Sequence, residues 1–165
     1  MYVQDHPRKS PEGYHVSTDN DLIKLYSARI LALAADIPLL DRLASPDATV
    51  KRRSPLCGST ISVEVNVSGG VITDFGQNVK ACALGQASAS VLGSVVIGTT
   101  RAQIETARDQ LSAMLKEDGP VPDAPFDGLE VLIPARDYKN RHASILLALE
   151  ATAEAMAKAE QANCA

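Results

Sequence analysis

The stretch that decides the fold is Ile61-Ser62-Val63-Glu64-Val65-Asn66-Val67-Ser68-Gly69-Gly70-Val71-Ile72-Thr73-Asp74-Phe75. Apolar residues at 61, 63, 65 and 67 alternate with polar ones at 62, 64, 66 and 68. Successive side chains on a strand point to opposite faces, so this is a half-buried strand with one wet face. Gly69-Gly70 mark a turn, because glycine enters the left-handed backbone region without a steric penalty. The next run carries Val71, Thr73 and Phe75 on one parity. A two-residue loop would set Val65 against Asp74 and mix the faces. A three-residue loop, Ser68-Gly69-Gly70, sets Val67 against Val71, Val65 against Thr73 and Val63 against Phe75. That register keeps the apolar faces together and is the one expected.

Upstream, residues 47–53 alternate weakly and are expected to form an edge strand. Further back, Thr18-x-x-Asp21 reads as a capping box. Behind it, Leu22, Tyr26, Ile30 and Leu33 recur at helical spacing, and Pro38 ends or bends that helix. Residues 1–17 read as a loose leader. Downstream, the chain turns helical from about Cys82 to Ile97, in a segment rich in Ala, Gly and Ser. Small residues let a helix lie close to its neighbours. A second helix is expected over about 100–117, from Thr99-Thr100 to Gly119-Pro120. A loop follows over 119–128, then a short helix over 127–133 and a charged connector from Ala135 to Arg141. The last helix runs over about 141–160, with Ile145, Leu149 and Met156 on one face. Strands segregated from helices in this order predict an α+β class, with residues 1–165 forming one domain.

Of the 165 residues, 45% are hydrophobic but only 4% aromatic, with no Trp. The core must be aliphatic, and a stacking platform for nucleic-acid bases is excluded. Net charge is −4, against the basic footprint expected of a nucleic-acid binder. The one dense basic run, Lys51-Arg52-Arg53, reads either as a solvated edge strand or as a protein docking face. No apolar stretch reaches the roughly 20 residues of a membrane span, and the N-terminal residues lack a signal-peptide apolar region. The expected setting is the cytoplasm, where thiols stay reduced.

Three cysteines with no close pair make a disulfide framework improbable. Cys164 sits one residue from the end. Cys57 lies in a Pro/Gly loop, Ser54-Pro55-Leu56-Cys57-Gly58-Ser59, just before the alternating strand. Cys82 lies where the second strand gives way to the small-residue helix. A thiol at a helix N-terminus feels the positive end of the dipole, which favours the thiolate, the form that attacks electrophiles and binds metals. His142 opens the last helix. All three stand at element ends, where loops present functional groups. Singly, a cysteine is more often a small core hydrophobe and such a histidine a surface or capping residue. Their long spacing does not match a structural zinc module. His6 and His15 fall in the leader, and no Gly-rich phosphate loop or H-E-x-x-H occurs.

The neighbours of the two cysteines carry a resemblance. Ser54-Pro55-x-Cys57-Gly58-Ser59 resembles the N-P-x-C-G-D motif of the NifU/IscU/SufU-type iron–sulfur cluster scaffold family. Cys82-Ala83-x-x-x-x-Ala87-Ser88-Ala89-Ser90 is similar to that family's second cysteine with its Ala-Ser-Ala-Ser helix, and Phe75-Gly76 stands in the region of its Phe-x-Gly. Asn140 to Leu146 is similar to its H-C-S-I-L or K-C-A-T-L segment. The resemblance covers residues 20–160. It implies a three-stranded antiparallel sheet covered by helices, with the ligands clustered at one exposed end. It implies a binding protein rather than an enzyme: a scaffold that takes sulfur from a cysteine desulfurase, assembles a [2Fe-2S] cluster with iron and passes it to apo-proteins. A monomer or weak homo-oligomer is expected, and composition and charge give no expectation of nucleic acid or membrane as partners.

Three departures stand out. Ser59 occupies the place of the family's Asp. The third cysteine is missing, with Ala143 or His142 in its region. The family's Leu-Pro-Pro-Val-Lys chaperone motif is absent, with Ile133-Pro134-Ala135-Arg136 near its place. The expected ligands are therefore Cys57, Cys82 and His142, with Ser59 and Asp137 as further donors or a fourth ligand from a partner or second copy. Arg136 is expected to offset the charge of a bound cluster. Soft thiolates suit Fe–S clusters, and imidazole can replace a thiolate on iron. The alternative is a zinc-binding or regulatory relative that uses the same residues without assembling a cluster. A Cys–His hydrolase would need His142 within hydrogen-bond reach of a thiol.

Overall fold

A computed structural model describes residues 25–163. Three strands, β1 (Ala48–Arg53), β2 (Thr60–Ser68) and β3 (Val71–Lys80), form an antiparallel sheet in the order β1-β2-β3. Among the described residues it is accompanied by the α-helices α1 (Ala28–Ala35), α2 (Ala83–Val95), α3 (Arg101–Lys116) and α4 (His142–Asn163). The α+β class and the edge position of β1 are as expected. Val50, Ile61, Val63, Val65, Ile72 and Phe75 are buried on one face of the sheet. The long helix α4 lies on that face against β1 and β2, and α2 and α3 flank α4. The core is aliphatic, as the scarcity of aromatics requires. Among the described residues no helix is long and apolar enough to cross a membrane.

The hairpin register differs from expectation. Ser68 pairs with Val71 and Val67 with Ile72, so the loop has two residues, Gly69 and Gly70. Both have positive φ, +61° and +79°, as a type I′ turn demands. The mixing of faces that argued against this loop is removed by a β-bulge. Between Asn66 and Val67 the register shifts, Asn66 pairs with Asp74, and Thr73 is left as the extra residue. Val65 then meets Phe75, and Val63 meets Gln77. The buried hydrophobic positions of β3 are thus Ile72 and Phe75, three apart, a spacing that strict alternation cannot produce.

The outer face of the sheet is not uniformly wet. Glu64 is only 7% exposed. The segment after Pro38 crosses this face, and Leu43 N–H donates to Glu64 Oε2 at 2.7 Å. A Cβ on Gly76 would stand 2.5 Å from the Asp41 carbonyl oxygen, so glycine is what admits this crossing.

Before the sheet, the expected helix through Tyr26 is interrupted. Tyr26 lies in a turn, and α1 restarts with Ser27 as its cap, the Ser27 Oγ accepting from Ile30 N–H at 3.3 Å. It ends at Ala35, ahead of Pro38. The capping box Thr18–Asp21 and Leu22 lie outside the described residues, as do the leader with His6 and His15, and Cys164. Further on, α3 opens with a capping box between Thr100 and Gln103. The short helix and the charged connector are together a 3-10 run, Asp127–Asp137, and a second short one, Lys139–Arg141. Pro134 sits inside the first and lacks the N–H that an α-helix would use.

Candidate functional site

The loop between β1 and β2 closes on itself. Ser54 N–H donates to the Ser59 carbonyl at 2.8 Å, and Gly58 N–H to the Ser54 carbonyl at 3.0 Å. Gly58 turns the chain with φ of +70°. This leaves Cys57 exposed while Ser54 and Ser59 turn inward and are buried. Cys57 Sγ lies 3.3 Å from Ser54 Oγ and 3.2 Å from Ser59 Oγ. As a thiolate it accepts from both hydroxyls. Ser54 first, then Ser59, draw its pKa down from an ordinary 9.0 to about 7, with smaller help from the Ser59 backbone and Ser144, against a counteracting desolvation. About half of it is therefore thiolate near neutral pH.

Cys82 is the N-cap residue of α2 and is half-buried. Its Sγ lies 3.6 Å from Ser144 Oγ, and Ser144 Oγ lies 3.0 Å from Ser59 Oγ. Two hydroxyls thus bridge the two thiols. What brings Ser144 there is the close approach of α2 to α4. A Cβ on Gly85 would stand 2.5 Å from Ser144 Oγ and 3.1 Å from the Ser144 carbonyl oxygen. One turn on, Ser88 Oγ–H donates to the Ile145 carbonyl at 2.7 Å. The small-residue helix is therefore what allows the strand-loop thiol, the helix-cap thiol and the α4 hydroxyl to meet.

The structure brings Cys57, Ser59 and Cys82 into one cluster and leaves the other expected residues out of it. His142 is 4% exposed, and its Nε2 donates to the Ala135 carbonyl at 2.9 Å. It faces the 3-10 run. Residues two apart on a helix do not share a face, so when Ser144 faces the thiols His142 cannot. The expected Cys57/Cys82/His142 ligand set is therefore not assembled, and a Cys–His pair for hydrolysis is not formed. Arg136 is likewise engaged elsewhere. Its Nε donates to the Met114 carbonyl and its Nη2 to the Gly119 carbonyl, both at 2.7 Å, closing the end of α3. Asp137 is exposed at the end of the 3-10 run and belongs to no cluster. Among the described residues no group of three His, Cys, Asp or Glu side chains is placed to hold a metal ion.

Sequence reasoning missed Ser54 and Ser144. Serines carry little signal of their own. Ser54 stood three residues before Cys57, and Ser144 stood inside the segment whose similarity was noted, two residues beyond the histidine that drew attention. The donor set is two thiols and three hydroxyls, with no carboxylate and no imidazole. Two thiolates suit half the coordination of an Fe–S cluster; the hydroxyls are poorer donors to iron.

No family model matches the sequence, and no curated protein matches it significantly. Solved structures do. A nitrogen-fixing NifU-like protein (N-terminal) from Brucella abortus is 45% identical, with a TM-score of 0.83 over 86% of this chain and 98% of that one. A protein from Fervidobacterium islandicum assigned as an iron–sulfur cluster assembly scaffold for the SUF system is 17% identical, with a TM-score of 0.73 over 81% and 98%. A hypothetical protein is 23% identical, with a TM-score of 0.73 over 82% and 98%. The last two share the fold. The first is close enough in sequence and coverage to fix the family: this chain belongs to the NifU/IscU/SufU-type family.

Proposed function

We propose that the chain is an iron–sulfur cluster assembly scaffold or carrier. It receives iron and sulfur, holds a [2Fe-2S]-type cluster as cargo and hands it to apo-proteins. It acts by binding and transfer, in a reducing compartment such as the cytoplasm, rather than as an enzyme. The observation that carries this reading is the pairing of Cys57 and Cys82 through two hydroxyls, with Cys57 exposed and partly ionised at neutral pH. An exposed thiolate is accessible to an incoming sulfur or iron donor, and a half-buried second thiol gives the cargo an anchor.

Cys57 and Cys82 are the two protein ligands in this reading. Ser59 and Ser144 are the nearest further donors, and the remaining coordination comes from the partner that gives or takes the cluster, or from a second copy. His142 would have to leave the Ala135 carbonyl to contribute. The weak donor set suits cargo meant to leave. Anaerobic reconstitution with ferrous iron and sulfide tests this. Wild-type protein is expected to develop visible absorption that Cys57→Ser and Cys82→Ser each abolish. Absence of any such chromophore in the wild type sinks the proposal.

One observation favours a second reading. With Ser59 and Ala143 in two expected ligand positions and His142 turned away, the site is also that of a relative that binds zinc or regulates assembly without building a cluster. Metal analysis of the purified protein separates the two. Stoichiometric zinc that iron and sulfide do not displace supports the second.

A further inference from the structure

Ser144 belongs to the first turn of α4, the least secured part of a helix. The first four N–H groups of a helix have no intrahelical partner, so its opening turn relies on outside contacts to fix its rotation. The hydroxyl of Ser144 bonds only to Ser59 and Cys82, the groups it has to place. Gly85 leaves room for that hydroxyl, and Ser88 holds the Ile145 carbonyl one residue on. The grip on the other side of the turn comes from His142.

His142 opens α4 and reaches across to the buried Ala135. A carbonyl oxygen only accepts, so Nε2 carries the ring proton there and offers no lone pair to a metal. The same carbonyl takes the Tyr138 N–H at 3.0 Å, which uses its second lone pair. Ala135 is itself well anchored, because Arg136 next to it is held by two 2.7 Å bonds to the Met114 and Gly119 carbonyls. The 3-10 run that carries both residues packs against α3 and against α2, the helix that Cys82 caps. One short segment thus ties the end of α3 to the start of α4, with α2 beside it. Residues two apart on a helix point about 200° away from one another. A ring fixed on the 3-10 side therefore turns the Ser144 hydroxyl to the thiol side.

We propose that His142, backed by Arg136, is a positioning residue of the site and not one of its ligands: it fixes the rotation of the first turn of α4 and so holds Ser144 Oγ between the two thiols. This assignment rests on the scaffold reading above and gives its third corner a holder. Thiols whose neighbours are already in place have less freedom to lose when they take a soft metal.

Anaerobic titration of the full chain with cobalt(II), read by thiolate-to-cobalt absorption, tests it. Ser144→Ala is expected to weaken cobalt binding about tenfold, and His142→Leu to match it. Arg136→Met, at the end of α3, is expected to weaken it about threefold. His142→Gln places an amide N–H as many bonds from the backbone as Nε2 but is a poor soft-metal ligand; it is expected to restore binding to within about twofold of wild type. In a Ser144→Ala background, His142→Leu is expected to cost nothing further, because it acts through that hydroxyl. Direct ligation through Nδ1 predicts the reverse: glutamine does not restore binding and the two losses add. Either result overturns the proposal. So does a His142→Leu protein that melts earlier yet binds cobalt as wild type does, and so does a wild type that binds no cobalt. Should His142→Leu lose its native circular dichroism, Arg136→Met in the two backgrounds carries the same test. Reconstitution with iron and sulfide keeps the two readings apart. No chromophore in a wild type whose cobalt series behaves as expected removes the cargo reading and leaves the positioning role. A chromophore in the wild type, with cobalt binding indifferent to positions 142 and 136, removes the positioning role and leaves the cargo reading.

Discussion

Cys57 and Cys82 reach the same hydroxyls from opposite kinds of structure. Cys57 is held by a short loop that closes through its own backbone and a left-handed glycine, with little packed around it. Cys82 caps a helix packed closely against α4, where glycine and serine replace bulk. One thiol is positioned by local hydrogen bonds, the other by close packing of distant segments. The first should therefore tolerate backbone change at a modest cost and respond chiefly in its chemistry. The second should fail through stability. The proposed receipt and release of cargo would profit from one exposed side and one rigid side.

Four substitutions can break or sharpen this contrast. The largest effect is expected from Gly85→Val, whose side chain would enter space held by Ser144 and by the Ala81 methyl, 2.9 Å away. A loss of about 3 kcal/mol is expected, or roughly 10 °C in Tm, read by thermal unfolding. An unchanged Tm would mean that close packing does not fix the Cys82 side. Ser88→Ala removes the second donor to the Ile145 carbonyl, which keeps its helical partner, for about 1–1.5 kcal/mol by chemical denaturation. On the other side, Gly58→Ala places a side chain at φ of +70° with Arg53 Nη2 no nearer than ordinary contact at 3.9 Å, so backbone strain dominates and about 1 kcal/mol is expected. A larger loss than at Ser88 would reverse the contrast. The smallest effect on stability, and the clearest on chemistry, belongs to Ser54→Ala. Alkylation of Cys57, followed by peptide mass spectrometry, should rise through a half-point near pH 7 in the wild type, because the thiolate is the reactive form. Losing the strongest hydroxyl donor moves that half-point upward, so that alkylation at pH 7 slows. An unmoved half-point would show that the serine does not stabilise the thiolate.

Much of the fold was legible because its signals are local. The alternation of Ile61 to Val67, a turn at the two glycines and a helix start near Thr99-Thr100 each act within a few residues, and each is found in the region expected, although the loop is one residue shorter. The hairpin register was not legible, since a bulge adds one residue without any marker except that Ile72 and Phe75 are out of step. The cysteines were legible through their neighbours. The third corner was not, and the reason lies in α4. That helix is buried on nearly every side, from Ser144 and Ile145 through Ala159. Its polar stripe, Glu150, Glu154 and Lys158, does not reach the first turn, so its sequence does not reveal which residue there points at the sheet end and which at the 3-10 run. Chemistry then favoured the histidine; geometry selected the serine. Arg136 shows the same limit, for a cation beside a candidate site is as readily recruited by the open carbonyls of a helix end as by cargo.

The bulge at Thr73 has a consequence for how this hairpin can change length. Thr73 is a supernumerary residue: without it, Asn66 would still oppose Asp74 and Val65 would still oppose Phe75 across the same two-residue turn. A deletion there would be silent downstream, leaving Lys80 and Cys82 in phase. A single deletion between Phe75 and Lys80 would instead invert every side chain that remained before the helix and carry the second thiol off its mark. Within one hairpin, then, the chain holds a site that can absorb an indel beside a stretch that cannot, and relatives that differ in length here should differ at the bulge.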